Sequence, residues 1–150
     1  MVSGVGFRHT FIMNKHNNSG FTLIELMIVI VVIAVLAAIA VPKYGEAMRN
    51  SSEGSTRANL GMIRKALSVY YSDMDGQYPS DMLSLLPVHM RKIPAAKLPG
   101  YHDDSKIVLH AAASDDAGGW LYDNVNNGTY GTVRVNCSHT DAKGSIWTSY

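Results

Sequence analysis

One carboxylate, Glu25, stands inside an apolar run of membrane length. From Phe21 to Val41 only Thr22 and Glu25 are not apolar. A carboxylate is costly to carry into a bilayer, so its default reading is functional: it has a charge to meet. A plain anchor has no use for it. A segment that leaves the bilayer and packs against copies of itself does. Elsewhere the residues capable of chemistry are scattered. The 150 residues include six histidines and a single cysteine, Cys137. No pair of histidines stands at metal-ligand spacing, and Cys137 has no second thiol as partner. His102, His110 and His139 therefore read as surface or packing residues, and Cys137 as a small buried side chain on a strand. The acids Asp103, Asp104, Asp115, Asp116, Asp123 and Asp141 fall in loop-like sequence. With no phosphate-binding loop, nucleophile elbow or catalytic triad recognisable, we read the chain as non-enzymatic.

The element that carries Glu25 is a helix. Residues 21–41 span about 32 Å in helical form, against a bilayer core of roughly 30 Å. Pro42 closes the run, Gly45 follows, and Glu46, Arg49, Glu53 and Arg57 repeat at helical spacing. Such pairs support a helix modestly, and the ladder reads as a solvated face, with inter-subunit charge pairing as the sharper alternative. From Leu60 the spacing Leu60, Ile63, Leu67, Tyr70, Tyr71, Met74 predicts one buried stripe with both tyrosines in the core. Asp75-Gly76 predicts the helix end, through a left-handed cap. Ser80 or Asp81 can cap a short helix to Leu86. Pro87, Pro94 and Pro99 predict an irregular crossing over 89–100. Beyond it, Lys106–Ala112 reads as a strand. Gly119–Asp123 and Gly131–Asn136 read as a hairpin around Asn126-Asn127-Gly128. The tail from Thr140 to Tyr150 folds back over that sheet in this reading, and Trp120 is a core residue.

Gly20-Phe21-Thr22-Leu23-Ile24-Glu25-Leu26 resembles the processing motif of type IV prepilins and of the pseudopilins of type II secretion. The match extends over the apolar run, Pro42 and the helix beyond. Tyr70-x-x-Asp73-x-x-Gly76-x-Tyr78-Pro79 is similar to the helix exit of the major type II pseudopilin. Gly118-Gly119-Trp120-Leu121-Tyr122-Asp123 with the later Val133-Arg134-Val135-Asn136 also looks like its C-terminal sheet. The resemblance implies an α+β, pilin-like fold: one long N-terminal helix, membrane-spanning in its first half, on a small antiparallel β-sheet. It implies a leader at 1–20, a transmembrane and filament-core helix at 21–41, and a periplasmic or extracellular globular domain at 42–150. Met13 opens a segment more like a short prepilin leader, so residues 1–12 read as an over-called start. Residues 1–20 carry Arg8, His9, Lys15 and His16 and no acid, which fits a cytoplasm-retained flank.

The functional expectations follow from that resemblance. A peptidase that is also a methyltransferase cuts between Gly20 and Phe21 and N-methylates Phe21. An inner-membrane assembly platform with its ATPase machinery then draws the chain from membrane lipid into a homopolymer. Glu25 meets the Phe21 amino group of a neighbour, and Pro42 marks a bend or a locally melted turn. The implied location is the bacterial inner membrane, single-pass with the N-terminus in the cytoplasm, followed by a periplasmic or extracellular filament. Many type IV pilins close a C-terminal loop with a disulfide. With Cys137 alone this chain forms none within itself, which shifts weight toward pseudopilins and disulfide-free pilins. Major type II pseudopilins hold calcium in their C-terminal loops, and Asp115, Asp116 and Asp123 are the weak candidates for it here. No other cofactor is implied. A formal net charge of +1 argues against a dedicated polyanion binder. The alternative within the family is a minor, tip-located pilin that binds a surface or DNA.

Overall fold

The computed structural model describes residues 20–125 and 128–150. All but the last residue of the expected leader at 1–20 and two residues of the hairpin turn, Asn126 and Asn127, lie outside them. The chain divides into two compact units, Met1–Ala40 and Val41–Tyr150. One helix, α1 (Leu23–Asp73), contributes to both. In the first unit every described residue is exposed, and the helix is long and apolar enough to cross a membrane. The expected melted turn at Pro42 is absent: the helix continues through Pro42 and Gly45. Proline removes one hydrogen bond, that to the carbonyl of Ala38, and the helix runs on without a break.

In the second unit the apolar stripe of α1 becomes the floor of a core. Leu60, Ile63 and Leu67 are all buried, while Tyr70 is half-buried against them. Tyr71, expected in the core, is 40% exposed and instead tilts over the Tyr78 ring at 4.5 Å. The stripe drifts off Tyr71 because a 3.6-residue turn cannot point two adjacent side chains the same way. Asp75 (φ 50°) and Gly76 (φ 83°) end the helix in the left-handed region. The Gly76 N–H reaches back to the Tyr71 carbonyl at 2.9 Å, as in a Schellman-type cap. A short 3-10 helix follows at Met82–Leu85, capped by Asp81, whose carboxylate accepts from the Leu83 N–H at 2.8 Å.

Two small sheets lie over this floor. β1 (Ala96–Leu98) pairs antiparallel with β2 (His102–Ser105). These strands replace the irregular crossing expected over 89–100. The prolines at 94 and 99 flank a strand of three residues, and α1 completes its hydrogen bonding. Thr56 Oγ1 donates to the Lys97 carbonyl (2.8 Å) and accepts from the Lys97 N–H (2.7 Å), and Asn59 donates to the Ala95 carbonyl (3.0 Å). The second sheet has the order β3 (Val108–His110), β4 (Trp120–Tyr122), β5 (Val133–Val135). β4 and β5 form the expected antiparallel pair, with Trp120 opposite Val135 and Tyr122 opposite Val133. β3 runs parallel to β4, so this sheet is mixed and not purely antiparallel.

Trp120, Tyr122, Val133 and Val135 share the core with Leu60, Ile63 and Trp147. The polar ends of the large aromatics are satisfied. Trp120 Nε1 donates to the Pro94 carbonyl at 2.7 Å, and the Tyr122 hydroxyl donates to the Pro79 carbonyl at 2.6 Å. The second bond gives the Tyr78-Pro79 exit its role, fixing the chain after α1 to the centre of the sheet. Gly131 lies against the Tyr78 ring with a left-handed φ of 84°, where any side chain would overlap that ring. The tail folds back as expected, with a bridge between Thr140 and Ile146 and a 3-10 turn at Trp147–Ser149. Replacing Trp120 with alanine removes a fully buried ring and its hydrogen bond. The expected loss is about 3–5 kcal/mol of unfolding free energy, measured by denaturant titration of the detergent-solubilised chain followed by circular dichroism. A loss within about 0.5 kcal/mol, the range of ordinary surface changes, would refute the core assignment.

Candidate functional site

The start of α1 is built by two residues that hold one another. Thr22 precedes the first helical residue, and Glu25 stands three residues on. The Thr22 N–H and its hydroxyl both donate to Glu25 Oε2 at 2.8 Å, and the Glu25 N–H donates to Thr22 Oγ1 at 3.3 Å. This is a capping box, in which helix donors without an intrahelical partner are satisfied reciprocally. Sequence reasoning weighed Glu25 only as a charge seeking a distant partner and left Thr22 without a role. The Thr-x-x-Glu spacing was the available signal. Gly20 and Phe21 precede the cap in the open. Phe21 is 93% exposed, and a Cβ placed on Gly20 would meet nothing within 4 Å. Among the described residues nothing in the packing therefore requires glycine at position 20. Pro42 lies within the helix on an exposed stretch.

The charge ladder farther along α1 is only partly a solvated face: Glu46 is exposed, while Glu53 and Arg57 turn inward. Glu53 is 2% exposed. Its carboxylate accepts from Arg49 Nε (3.0 Å), from Arg57 Nη2 (3.4 Å) and from the Ala142 N–H (3.0 and 3.1 Å to the two oxygens). Arg57 also pairs with buried Asp141, and its guanidinium lies over the Trp147 and Tyr150 rings. Asp141 completes the network by accepting from the Tyr150 hydroxyl (2.5 Å) and the Lys143 and Ser145 N–H groups (2.8 and 2.9 Å). The ladder thus clamps the C-terminal tail to the helix. Intrahelical spacing alone could not show it, because the partners come from a segment about 85 residues away.

Asp115 and Asp116 share one hydrogen-bonded turn, and Asp123 sits in another. Asp115 Oδ1 accepts from Asn136 Nδ2 (2.7 Å) and the Ala117 N–H (3.1 Å). Asp123 accepts from the Val125 N–H (3.0 Å) and the Thr129 hydroxyl. Asp116 Oδ1 accepts from the Ser138 N–H at 2.7 Å and faces two histidines. Those are His102 and His139, which the sequence had suggested were unrelated surface or packing residues. The fold brings them together with Cys137, their ligand atoms all within 4.8 Å of one another. Cys137 is buried as expected but lies two residues beyond β5 and not on a strand, and burial pushes its thiol pKa up. His110 lies apart from this group, its Nε2 3.2 Å from Asp81.

The family model described as the prokaryotic N-terminal methylation motif matches residues 15–41. By its fold this chain is of the α+β, pilin-like class. It is 46% identical over 69 residues to the fimbrial protein EcpC of Eikenella corrodens, covering 46% of this chain and 44% of that one. To PilA4, the type IV wide pilus major component of Thermus thermophilus, it is 35% identical over 53% of this chain and 60% of that one. To the type II secretion system core protein G of Aeromonas hydrophila it is 26% identical over 82% of this chain and 83% of that one. The pilin-like chain thus spans less than two thirds of the fimbrial and pilus relatives named here. No solved structure matches it significantly.

The tail clamp makes a prediction for acid. Burial opposes charge on Asp141, but hydrogen bonds from Tyr150, Ser145, Arg57 and Lys143 outweigh it and hold the carboxyl well below the usual range. A depressed folded pKa gives stability that is complete above the unfolded value, near pH 4, and is lost as pH falls toward the folded value. Asp141→Asn should therefore cost about 1.5–3 kcal/mol at neutral pH, and its gap from wild type should narrow steadily below about pH 4. Unfolding titrations across that range check both; a gap independent of pH would contradict the ionic reading.

Proposed function

We propose that this chain is a structural subunit of a type IV-like filament, a pilin or major pseudopilin. It would be cut between Gly20 and Phe21, N-methylated on Phe21 and polymerised through the apolar half of α1. The carrying observation is a membrane-length apolar helix, exposed throughout, that opens on the methylation motif. Such a surface needs a bilayer first and neighbouring copies afterwards. In this reading the segment spans the inner membrane with the basic leader in the cytoplasm. A prepilin peptidase removes the leader, and an ATPase-driven platform extracts the mature chain. The open surroundings of Gly20 support a requirement set by an outside partner, the peptidase. The long alignment with core protein G necessarily reaches well into the globular half, which favours a pseudopilin-type body. Among the described residues no cluster recommends the tip-located adhesin over this reading, and catalysis has no part in it.

Mass spectrometry of assembled material should find a chain that begins at N-methylated Phe21. A mature chain that retains Lys15 would refute the prepilin assignment. Gly20→Val should leave the precursor uncut in membranes, since a β-branched side chain replaces the absent one the cutting site would expect.

Glu25 has two jobs in this account: the local cap and a charge for the neighbour's amino group. Two substitutions separate them. Glu25→Gln keeps the capping geometry, because glutamine serves at that position too, but removes the charge. Glu25→Ala removes both. Both variants should insert in the membrane at least as well as wild type, and both should give sharply reduced filament yield in sheared-fraction immunoblots. Normal yield from Glu25→Gln beside failure of Glu25→Ala would reduce Glu25 to a capping residue.

A further inference from the structure

The cluster of His102, Asp116, Cys137 and His139 belongs to none of the machinery above. Its residues come from three separate places: β2, the turn before β4, and the segment after β5. The closest approaches are 3.4 Å from His102 Nε2 to Asp116 Oδ1, 3.5 Å from His139 Nδ1 to Asp116 Oδ1, and 3.5 Å from Cys137 Sγ to His139 Nδ1. Ligands bound tetrahedrally to zinc at 2.0–2.3 Å lie about 3.3–3.7 Å apart. A second observation points the same way. His102 Nε2 is buried and makes no hydrogen bond, despite its nearness to Asp116. A buried ring nitrogen left without a partner is uncommon and asks for one.

We propose that these four side chains form a zinc site that staples β2, the turn before β4 and the segment after β5. The donor set is two imidazole nitrogens, one thiolate and one carboxylate oxygen, a combination suited to a borderline-soft divalent ion. Calcium takes six to eight oxygens, and this group offers one carboxylate. On binding, the Cys137 S–H gives its proton to solvent and the ion exchanges waters for protein ligands. Thiolate and carboxylate together then balance the two charges of the ion. All four positions are filled by the chain, the mark of a structural site.

The surroundings hold the ligands in place. The Ser138 N–H fixes Asp116, which adopts a left-handed φ of 61°. Gly118 leaves room beside His102, where a Cβ would come within 3.0 Å of the His102 side chain. The His139 ring stacks on Tyr101 at 4.3 Å and is partly exposed, which provides an entry path. A site of this kind would do for the sheet what a disulfide does in other small domains, with a single cysteine. The proposal stands independently of the filament reading.

The test uses the untagged full chain in detergent micelles, stripped with chelator and then supplied with zinc or cobalt ions. Elemental analysis after gel filtration should find zinc retained at one ion per chain. Cobalt should give the intense visible bands of a tetrahedral site together with a thiolate charge-transfer band. His102→Gln, His139→Gln and Cys137→Ser should each weaken zinc binding at least about tenfold and abolish the zinc-induced rise in thermal midpoint. His139 is partly exposed, so His139→Gln decides the matter if Cys137→Ser does not fold, with circular dichroism as the folding control. Substoichiometric zinc, a pale octahedral cobalt spectrum without the thiolate band, variants that bind like wild type, or stabilisation by calcium alone would each overturn the proposal.

Discussion

Phe21, Leu23, Ile24 and Leu26 are between 63% and 93% exposed, and the large apolar side chains that follow to Val41 remain at least half exposed. That uncovered surface is the constraint on which the rest depends. No soluble chain tolerates it, because apolar area of this extent in water is met by a membrane or by other protein. A helix satisfies its own backbone in either setting, which is why the segment is helical and unbroken across Pro42. The capping box at its start follows from the same need. Within lipid or a dry bundle the first helix donors have no water, and Thr22 with Glu25 supplies their partners.

The globular half answers a different problem, that of a small core with no disulfide. Strands of three or four residues cannot hold themselves. Helix α1 therefore serves as their template, and it does so with polar side chains as well as apolar ones. Thr56 hydrogen-bonds to the β1 backbone and Asn59 to the Ala95 carbonyl just before it, Arg64 donates to the Val133 carbonyl of β5, and Glu53 with Arg57 holds the tail. Buried charges of this kind are costly unless every one is met. Here each carboxylate has several donors, and Arg57 lies over two aromatic rings that fix its position. The four-residue metal-type cluster lies where β2, the turn before β4 and the chain after β5 converge.

Much of this was legible in the sequence, for identifiable physical reasons. The apolar run and the stripe of Leu60, Ile63 and Leu67 are periodic signals that burial preserves. The Asp75-Gly76 stop, the Asp81 cap and the β4–β5 pair are local chemistry, and they stand as expected. What escaped was non-local. β1 exists because α1 completes its hydrogen bonds, which its prolines and brevity conceal. The parallel pairing of β3 with β4 depends on a chain crossing that no residue pattern encodes. Glu53 looked solvated because its partners Ala142 and Arg57 include one from the far end of the chain. His102 and His139 looked unrelated because their common neighbours, Asp116 and Cys137, meet them only after the sheets form.

In the filament proposed above, Glu25 would change partner on assembly, from its own Thr22 to the amino group of a neighbour. High-resolution cryo-electron microscopy of purified filaments measures that directly. The expected result is a Glu25 carboxylate oxygen within about 2.7–2.9 Å of the Phe21 nitrogen of an adjacent subunit, the span of a charge-assisted hydrogen bond. A filament in which Glu25 contacts only Thr22 of its own chain, with the Phe21 amino group engaged elsewhere, would contradict it.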